Sequence, residues 1–204
     1  MGVAVVLAAM WFTPSSSGQV LREPVRLVAS DVAADDLFGQ SVSVSGNVTV
    51  VGAPYDDDNG SQSGSVYVFR RNGSTWAQEQ KLLPSDGALG ALFGGSVSIS
   101  GNVAVVGAQD HENGGYSGSA YVFRRNGSRW IQEQKLLASD GAPFDYFGLS
   151  VSVSGDVAIV GGRGRRRRLS FRSVLRLRLG LHVPLERIEV GTGTEVAPLG
   201  RGRR

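Results

Sequence analysis

One stretch of the chain is repeated, and the repetition restricts the fold more than any other feature. Leu37 to Asp86 reads LFGQSVSVSGNVTVVGAPYDDDNGSQSGSVYVFRRNGSTWAQEQKLLPSD. Leu92 to Asp140 repeats it as LFGGSVSISGNVAVVGAQDHENGGYSGSAYVFRRNGSRWIQEQKLLASD. A third copy opens at Tyr146 with YFGLSVSVSGDVAIVGG and is lost after Gly162. The Phe-Gly pairs begin at Phe38, Phe93 and Phe147, so they are spaced 55 and 54 residues apart. A unit of this length, rich in β-branched and aromatic residues, points to an all-β array whose members bury their faces on one another, such as a propeller.

Within a unit the strands follow from alternation and turn residues. Ser41 to Ser45 alternates polar and apolar, the pattern of a half-buried strand. Gly46-Asn47 is a two-residue turn, and the apolar run Val48 to Val51 is a strand buried on both faces. Asp56 to Gly64 reads as a polar loop and Ser65 to Phe69 as a third strand. Asn72-Gly73 signals a hairpin into a fourth strand, Ser74 to Leu83, anchored by Trp76. Four antiparallel strands joined in this way form one propeller blade.

The unit resembles the FG-GAP repeat, named for Phe-Gly and Gly-Ala-Pro. Here these are Phe38-Gly39 and Gly52-Ala53-Pro54. The second unit has Phe93-Gly94 and Gly107-Ala108, followed by Gln109, and the third has Phe147-Gly148 and Gly161-Gly162. The resemblance covers about residues 20–162. It implies the β-propeller of integrin alpha chains and of many secreted or surface proteins, acting as a binding or adhesion scaffold. Metal-binding integrin-type repeats carry an Asp-rich calcium loop just before the Gly-Ala-Pro segment. Only Ser45-Gly46-Asn47 stands there, too short to wrap a cation that takes about six to eight oxygens. The family's calcium sites therefore do not carry over, and no cofactor is expected.

Other chemistry is sparse. Asp56 and Asp58, in Asp56-Asp57-Asp58-Asn59-Gly60, are weak metal candidates. Consecutive carboxylates cannot all point inward, and the second copy, Asp110-His111-Glu112-Asn113-Gly114, has fewer acids, so a solvated turn is the better reading. His111 stands alone and reads as a loop histidine. Asn47, Asn59, Asn72 and Asn126 open Asn-X-Ser/Thr sequons, and turns already account for Asn72 and Asn126. Trp76 and Trp130 share one repeat phase and read as packing residues, as do the phenylalanines of the Phe-Gly pairs. No repeated acid pair, nucleophile triad or phosphate loop marks an enzyme.

The two ends differ from the repeats. Residues 1–19 hold the apolar run Gly2 to Phe12, too short to span a bilayer; it fits the apolar part of a signal peptide or a buried strand. Leu21 to Asp31 matches Trp76 to Asp86, so it is a fourth strand without its first three. Either a blade lies upstream, or this strand completes the last blade of a ring. Residues 1–162 carry a net charge of −6, whereas 163–204 carry 12 Arg and 3 Glu and a net +9. Arg163 to Arg178 has the composition of a nucleic-acid arm. A more specific reading is blade three translated in a shifted frame. Moved by one nucleotide, the codons of Glu186 to Gly202 permit Asn-Gly-Ser-Arg-Trp-Ala-Gln-Glu-Gln-Lys-Leu-Leu-Pro-Ser-Asp-Gly-Ala, the string of Asn72 to Ala88 with one change. On that reading the tail is irregular, blade three keeps two inner strands, and binding to nucleic acid is unspecific.

The expectation is thus a partial propeller of about two and a half FG-GAP repeats over residues 20–162 with an irregular basic tail. The chain should be a non-catalytic, secreted or surface scaffold with a protein or glycan ligand and no transmembrane segment. A propeller enzyme of hydrolase or lyase type, or a basic-tail nucleic-acid binder, are the alternatives. With no cysteine, the chain has neither disulfide nor thiolate chemistry.

Overall fold

A computed structural model describes residues 5–7, 25–31, 33–109, 115–139 and 141–163. Among these the chain is all-β, with no helix. The tail beyond Arg163 and the loop 110–114 with His111 lie outside the described residues, as does the apolar N-terminus except for the backbone of one short strand.

Two complete blades follow one another. The first is β3 (Ser41–Ser45), β4 (Val48–Ala53), β5 (Ser65–Asn72) and β6 (Thr75–Leu82), paired in that order and antiparallel throughout. The second, β7 (Ser96–Ser100), β8 (Val103–Ala108), β9 (Ser119–Asn126) and β10 (Arg129–Leu136), repeats it. The third blade contributes β11 (Ser150–Ser154) and β12 (Val157–Gly161), the two inner strands expected. Ahead of them, β1 (Val5–Leu7) pairs with β2 (Val25–Leu27), a strand that lies within the part of the chain aligned with Trp76 to Asp86.

Glycines set the turns. Gly46, Gly101 and Gly155 stand at φ +58°, +55° and +57°, the left-handed region that a side chain resists, at the first central position of each inner hairpin. The outer hairpins turn on Gly73-Ser74 and Gly127-Ser128, because Asn72 still pairs with Thr75 and Asn126 with Arg129. The turn thus lies one residue later than Asn72-Gly73 suggested, since a turn with one left-handed residue places glycine first.

The core lies between blades. Val48, Val50, Val66, Val68 and Leu82 of the first blade pack against Phe93, Val97, Ile99, Val106, Tyr121 and Trp130 of the second. Val103, Val105, Val122 and Leu136 then pack against Phe147, Val153, Ala158 and Val160 of the third. Phe38 stands edge-on to Tyr67 and Phe69, and Phe93 repeats the arrangement with Tyr121 and Phe123. Trp130 is buried in the first junction, and Trp76 packs half-buried against Leu27, Ala29 and Phe38.

The alternation in β3 has a meaning that the half-buried reading did not supply. Its serines face the next blade rather than water. Ser43 Oγ accepts the N–H of Ile99 and Ser45 Oγ that of Gly101, while Ser41 Oγ donates to the carbonyl of Gly94. Ser98, Ser100 and Ser96 do the same for Val153, Gly155 and Gly148. The valines face the preceding blade. Val97 and Ile99 are 8% and 5% exposed beneath the first blade, whereas Val42 and Val44 are 44% and 60% exposed because no blade among the described residues covers them.

Candidate functional site

The Phe-Gly and Gly-Ala-Pro halves of the motif meet across the blade junction. Within a blade, the N–H of Gly39, Gly94 or Gly148 donates to the carbonyl of Gly52, Gly107 or Gly161. Between blades, the carbonyl of Gly94 lies against Gly52, and that of Gly148 against Gly107, so closely that a Cβ at either Gly-Ala-Pro glycine would strike it. Ala53, Ala108 and Pro54 are buried beside them. Pro54 has no N–H, so the bond that Gln109 N makes to Ala91 passes in the first blade to Tyr55 N and Asp36.

Asp56, assigned above to a solvated turn, is instead 2% exposed. Its Oδ2 accepts from Tyr67 Oη at 2.9 Å and from Lys81 Nζ at 2.8 Å, and its Oδ1 from the N–H of Asp58. Lys81 Nζ also bonds Asp31, at 3.0 Å, and Asp58, and stands 5.0 Å from the centre of the Tyr67 ring. The physical reason is long-range: β5 and β6 bring Tyr67 and Lys81 opposite each other, beneath a loop that looks exposed when read alone. Burial pushes the Asp56 carboxyl up, but hydrogen bonds from Lys81, the Asp58 backbone and Tyr67 outweigh it and hold the acid below its ordinary range. Burial likewise opposes the charge of Lys81, yet Asp56, Asp58, Tyr67 and Asp31 raise its pKa, while burial raises the Tyr67 phenol. The lysine ammonium thus occupies the position that a cation would take between Asp56 and Asp58. Among the described residues no group of three His, Cys, Asp or Glu is arranged to hold a metal.

The second blade repeats the clamp: Lys135 Nζ meets Asp86 at 2.6 Å and lies over Tyr121. Burial raises the Asp86 carboxyl, but Lys135 and Tyr121 win and leave it lowered. The remaining buried acids bind backbone. Asp36 accepts the N–H of Ala33 and Asp145 that of Ala142.

Sequence reasoning passed over the Gln-Glu-Gln-Lys run, although its identical recurrence at 78–81 and 132–135 is a signal. A bulge at Glu79 lets both flanking glutamines reach neighbouring blades. Gln78 pairs with the N–H and hydroxyl of Ser30, and Gln132 with those of Ser85. Glu79 bonds Arg70 within its blade and Arg125 in the next. Gln80 grips the main chain of Trp130 at both N–H and C=O. Its counterpart Gln134 has a buried Oε1 with no hydrogen-bond partner among the described residues.

These interlocks are the signature of a repeat family. The FG-GAP repeat profile matches residues 21–69, 76–123 and 130–170. The chain belongs to the FG-GAP repeat family. No curated protein matches it. The third match runs past Gly162, where the visible likeness stops, into the arginine-rich segment. The second and third matches open on the outer strand of one blade and continue into the inner strands of the next.

One end of this FG-GAP array departs from the repeat. The loop from β8 to β9 and the loop from β10 to β11 lie at the same end, pinned by bonds from Phe144 N to Gly115, Tyr146 N to Tyr116 and Phe147 N to Ser117. There Tyr116, Phe144 and Tyr146 gather, with ring centres 5.5, 5.8 and 6.5 Å apart. The preceding junction has Gln62, Gly90 and Leu92 at these positions. Phe144 stands at φ +68° and is 38% exposed, where the earlier repeats have Asp35 and Gly90. An aromatic side chain is uncommon in that conformation and costs about 1–3 kcal/mol. Among the described residues no helix is long and apolar enough to cross a membrane.

Proposed function

We propose that this chain is a non-catalytic binding or adhesion scaffold, secreted or displayed at a cell surface, that presents its blade loops to a protein or glycan ligand. The aromatic group at Tyr116, Phe144 and Tyr146 carries this reading. It breaks the repeat at one loop end, it holds Phe144 in a strained backbone state, and it offers half-exposed rings of the kind that anchor recognition surfaces. The buried acids support a non-catalytic role. Asp56 is held ionised by Lys81, and Asp36 and Asp145 each accept a backbone N–H, so all three have structural partners. Family membership supports the same class of function, while naming no ligand.

The test is to screen the full chain on arrays of extracellular proteins and of glycans, beside a variant carrying Tyr116→Gln, Phe144→Gly and Tyr146→Leu. Each change installs the residue of the preceding repeat, so folding should survive. A ligand retained by the parent and lost by the variant is expected. Equal binding by both, or hydrolysis or cleavage of the captured ligand, would overturn the proposal.

A further inference from the structure

We propose that copies of this chain assemble head to tail, the β3 edge of one copy docking on the β11–β12 face of the next. The two blade junctions supply the template. At each, serine hydroxyls of the leading inner strand accept N–H groups from the following inner strand, and two apolar residues of the second strand cover two of the following blade. In the first junction these are Ser43 with Ile99, Ser45 with Gly101, and Val48 and Val50 packed with Val97 and Ile99.

Among the described residues both halves of this contact stand open, one on the first blade and one on the third. On the third blade, Ser150, Ser152 and Ser154 are exposed, Ile159 is 44% exposed and Val157 half-buried. Their counterparts Val48 and Val50 are buried. On the first blade, Val42 and Val44 are exposed where Val97 and Ile99 are buried, and Gly39 is half-exposed where Gly94 and Gly148 are buried. Laid on the template, Ser152 Oγ accepts from Val44 N, Ser154 Oγ accepts from Gly46 N, Ser150 Oγ donates to the Gly39 carbonyl, and Val157 and Ile159 cover Val42 and Val44. Each of these groups on one open face has its partner type on the other, so a second copy is the occupant whose chemistry fits. Such a contact joins unlike surfaces, and it closes into a ring where the rotation per copy permits and otherwise extends.

Sedimentation velocity of the full chain over a range of concentrations tests this. The expected result is mass rising with concentration beyond a dimer. Val44→Asp blocks the β3 edge and Ser152→Lys blocks the opposite face. Both residues are exposed, so circular dichroism should report unchanged strand content, and Val42→Asp provides a second block on the same edge. Each variant alone should be monomeric, and an equal mixture should form a one-to-one complex, because each retains the face that the other lacks. A parent chain that stays monomeric, assembly that neither block disturbs, or blocked variants that fail to combine would each overturn the proposal.

Discussion

Replacing Lys81 by methionine removes the ammonium from Asp56 while keeping most of the side-chain volume. Breaking a buried ion pair from one side costs about 3–5 kcal/mol, because the remaining charge stays buried and unpaired. Here Asp56 is almost fully covered, but Asp31 and Asp58 are open to water and Lys81 itself is 15% exposed. Tyr67 and the N–H of Asp58 also continue to bond the carboxylate. A loss of about 2–3 kcal/mol is therefore expected, a fall of about 4–12 °C in Tm for a chain of this size. The pH dependence separates this cause from simple loss of packing. In the parent, the folded pKa of Asp56 lies below its unfolded value of about 3.9. Its contribution is therefore complete above that value and lost as pH falls through the folded pKa. In Lys81→Met, burial without the ammonium raises the folded pKa, so the penalty is largest near neutrality and shrinks as acid protonates Asp56. Adding Asp56→Asn should recover part of the loss at neutral pH. Urea unfolding followed by tryptophan fluorescence at several pH values is the assay. A difference between parent and variant that is under about 0.5 kcal/mol, or that does not change with pH, would refute the reasoning.

The glycine contacts make a paired prediction. Gly107→Ala, whose Cβ would meet the Gly148 carbonyl, should cost about 2–4 kcal/mol, whereas Gly101→Ala, with open space around its Cβ, should cost only the left-handed backbone penalty of about 1 kcal/mol; equal shifts in Tm would mean that the blades do not approach closely there. Gln80→Ala should cost about 1–3 kcal/mol, since it leaves both main-chain groups of half-buried backbone at Trp130 without their partner, and thermal unfolding reads it. Calcium should leave Tm nearly unchanged, because Lys81 already stands between Asp56 and Asp58; a bound cation at about 100 times its Kd would add about 2.7 kcal/mol, and an upward shift abolished by Asp56→Ala with Asp58→Ala would show a site.

Much of the fold was legible because repetition fixes register. The Phe-Gly spacing located the blades, the glycines located the inner turns, and the aligned Trp76 and Trp130 pointed to packing. What escaped was whatever one blade does to the next. A period of two says that Ser43 and Val44 face opposite ways, but not that both ways lead to protein; a reading confined to one sheet assigns the serines to water. Asp56 was misplaced for the same reason, since its partners Tyr67 and Lys81 stand on strands that only pairing brings beneath it. The aromatic group at Tyr116, Phe144 and Tyr146 escaped because its members are scattered over two loops, and only the contrast with Gln62, Gly90 and Leu92 marks it.

The phase of the FG-GAP unit against the blade explains how these contacts are maintained. The second and third family matches begin on the strand that completes the preceding sheet, and the first and second end before the strand that completes their own. The segment that follows each outer strand, Ser30-Asp31 or Ser85-Asp86, then crosses to the next blade and is held there by Gln78 and Lys81, or by Gln132 and Lys135. Both of these crossings are therefore made by the chain itself and held by the blade they enter. Glutamine fixes the position of the crossing segment through a serine main-chain and hydroxyl pair, and lysine fixes its charge. A unit in phase with its blade would leave neighbouring sheets joined by an unclamped linker and free to shear along their apolar faces. With the phase offset, the same four consecutive residues at 78–81 bind the segment behind, the blade they belong to and the blade ahead, and this accounts for their exact recurrence at 132–135 while the loops between them diverge.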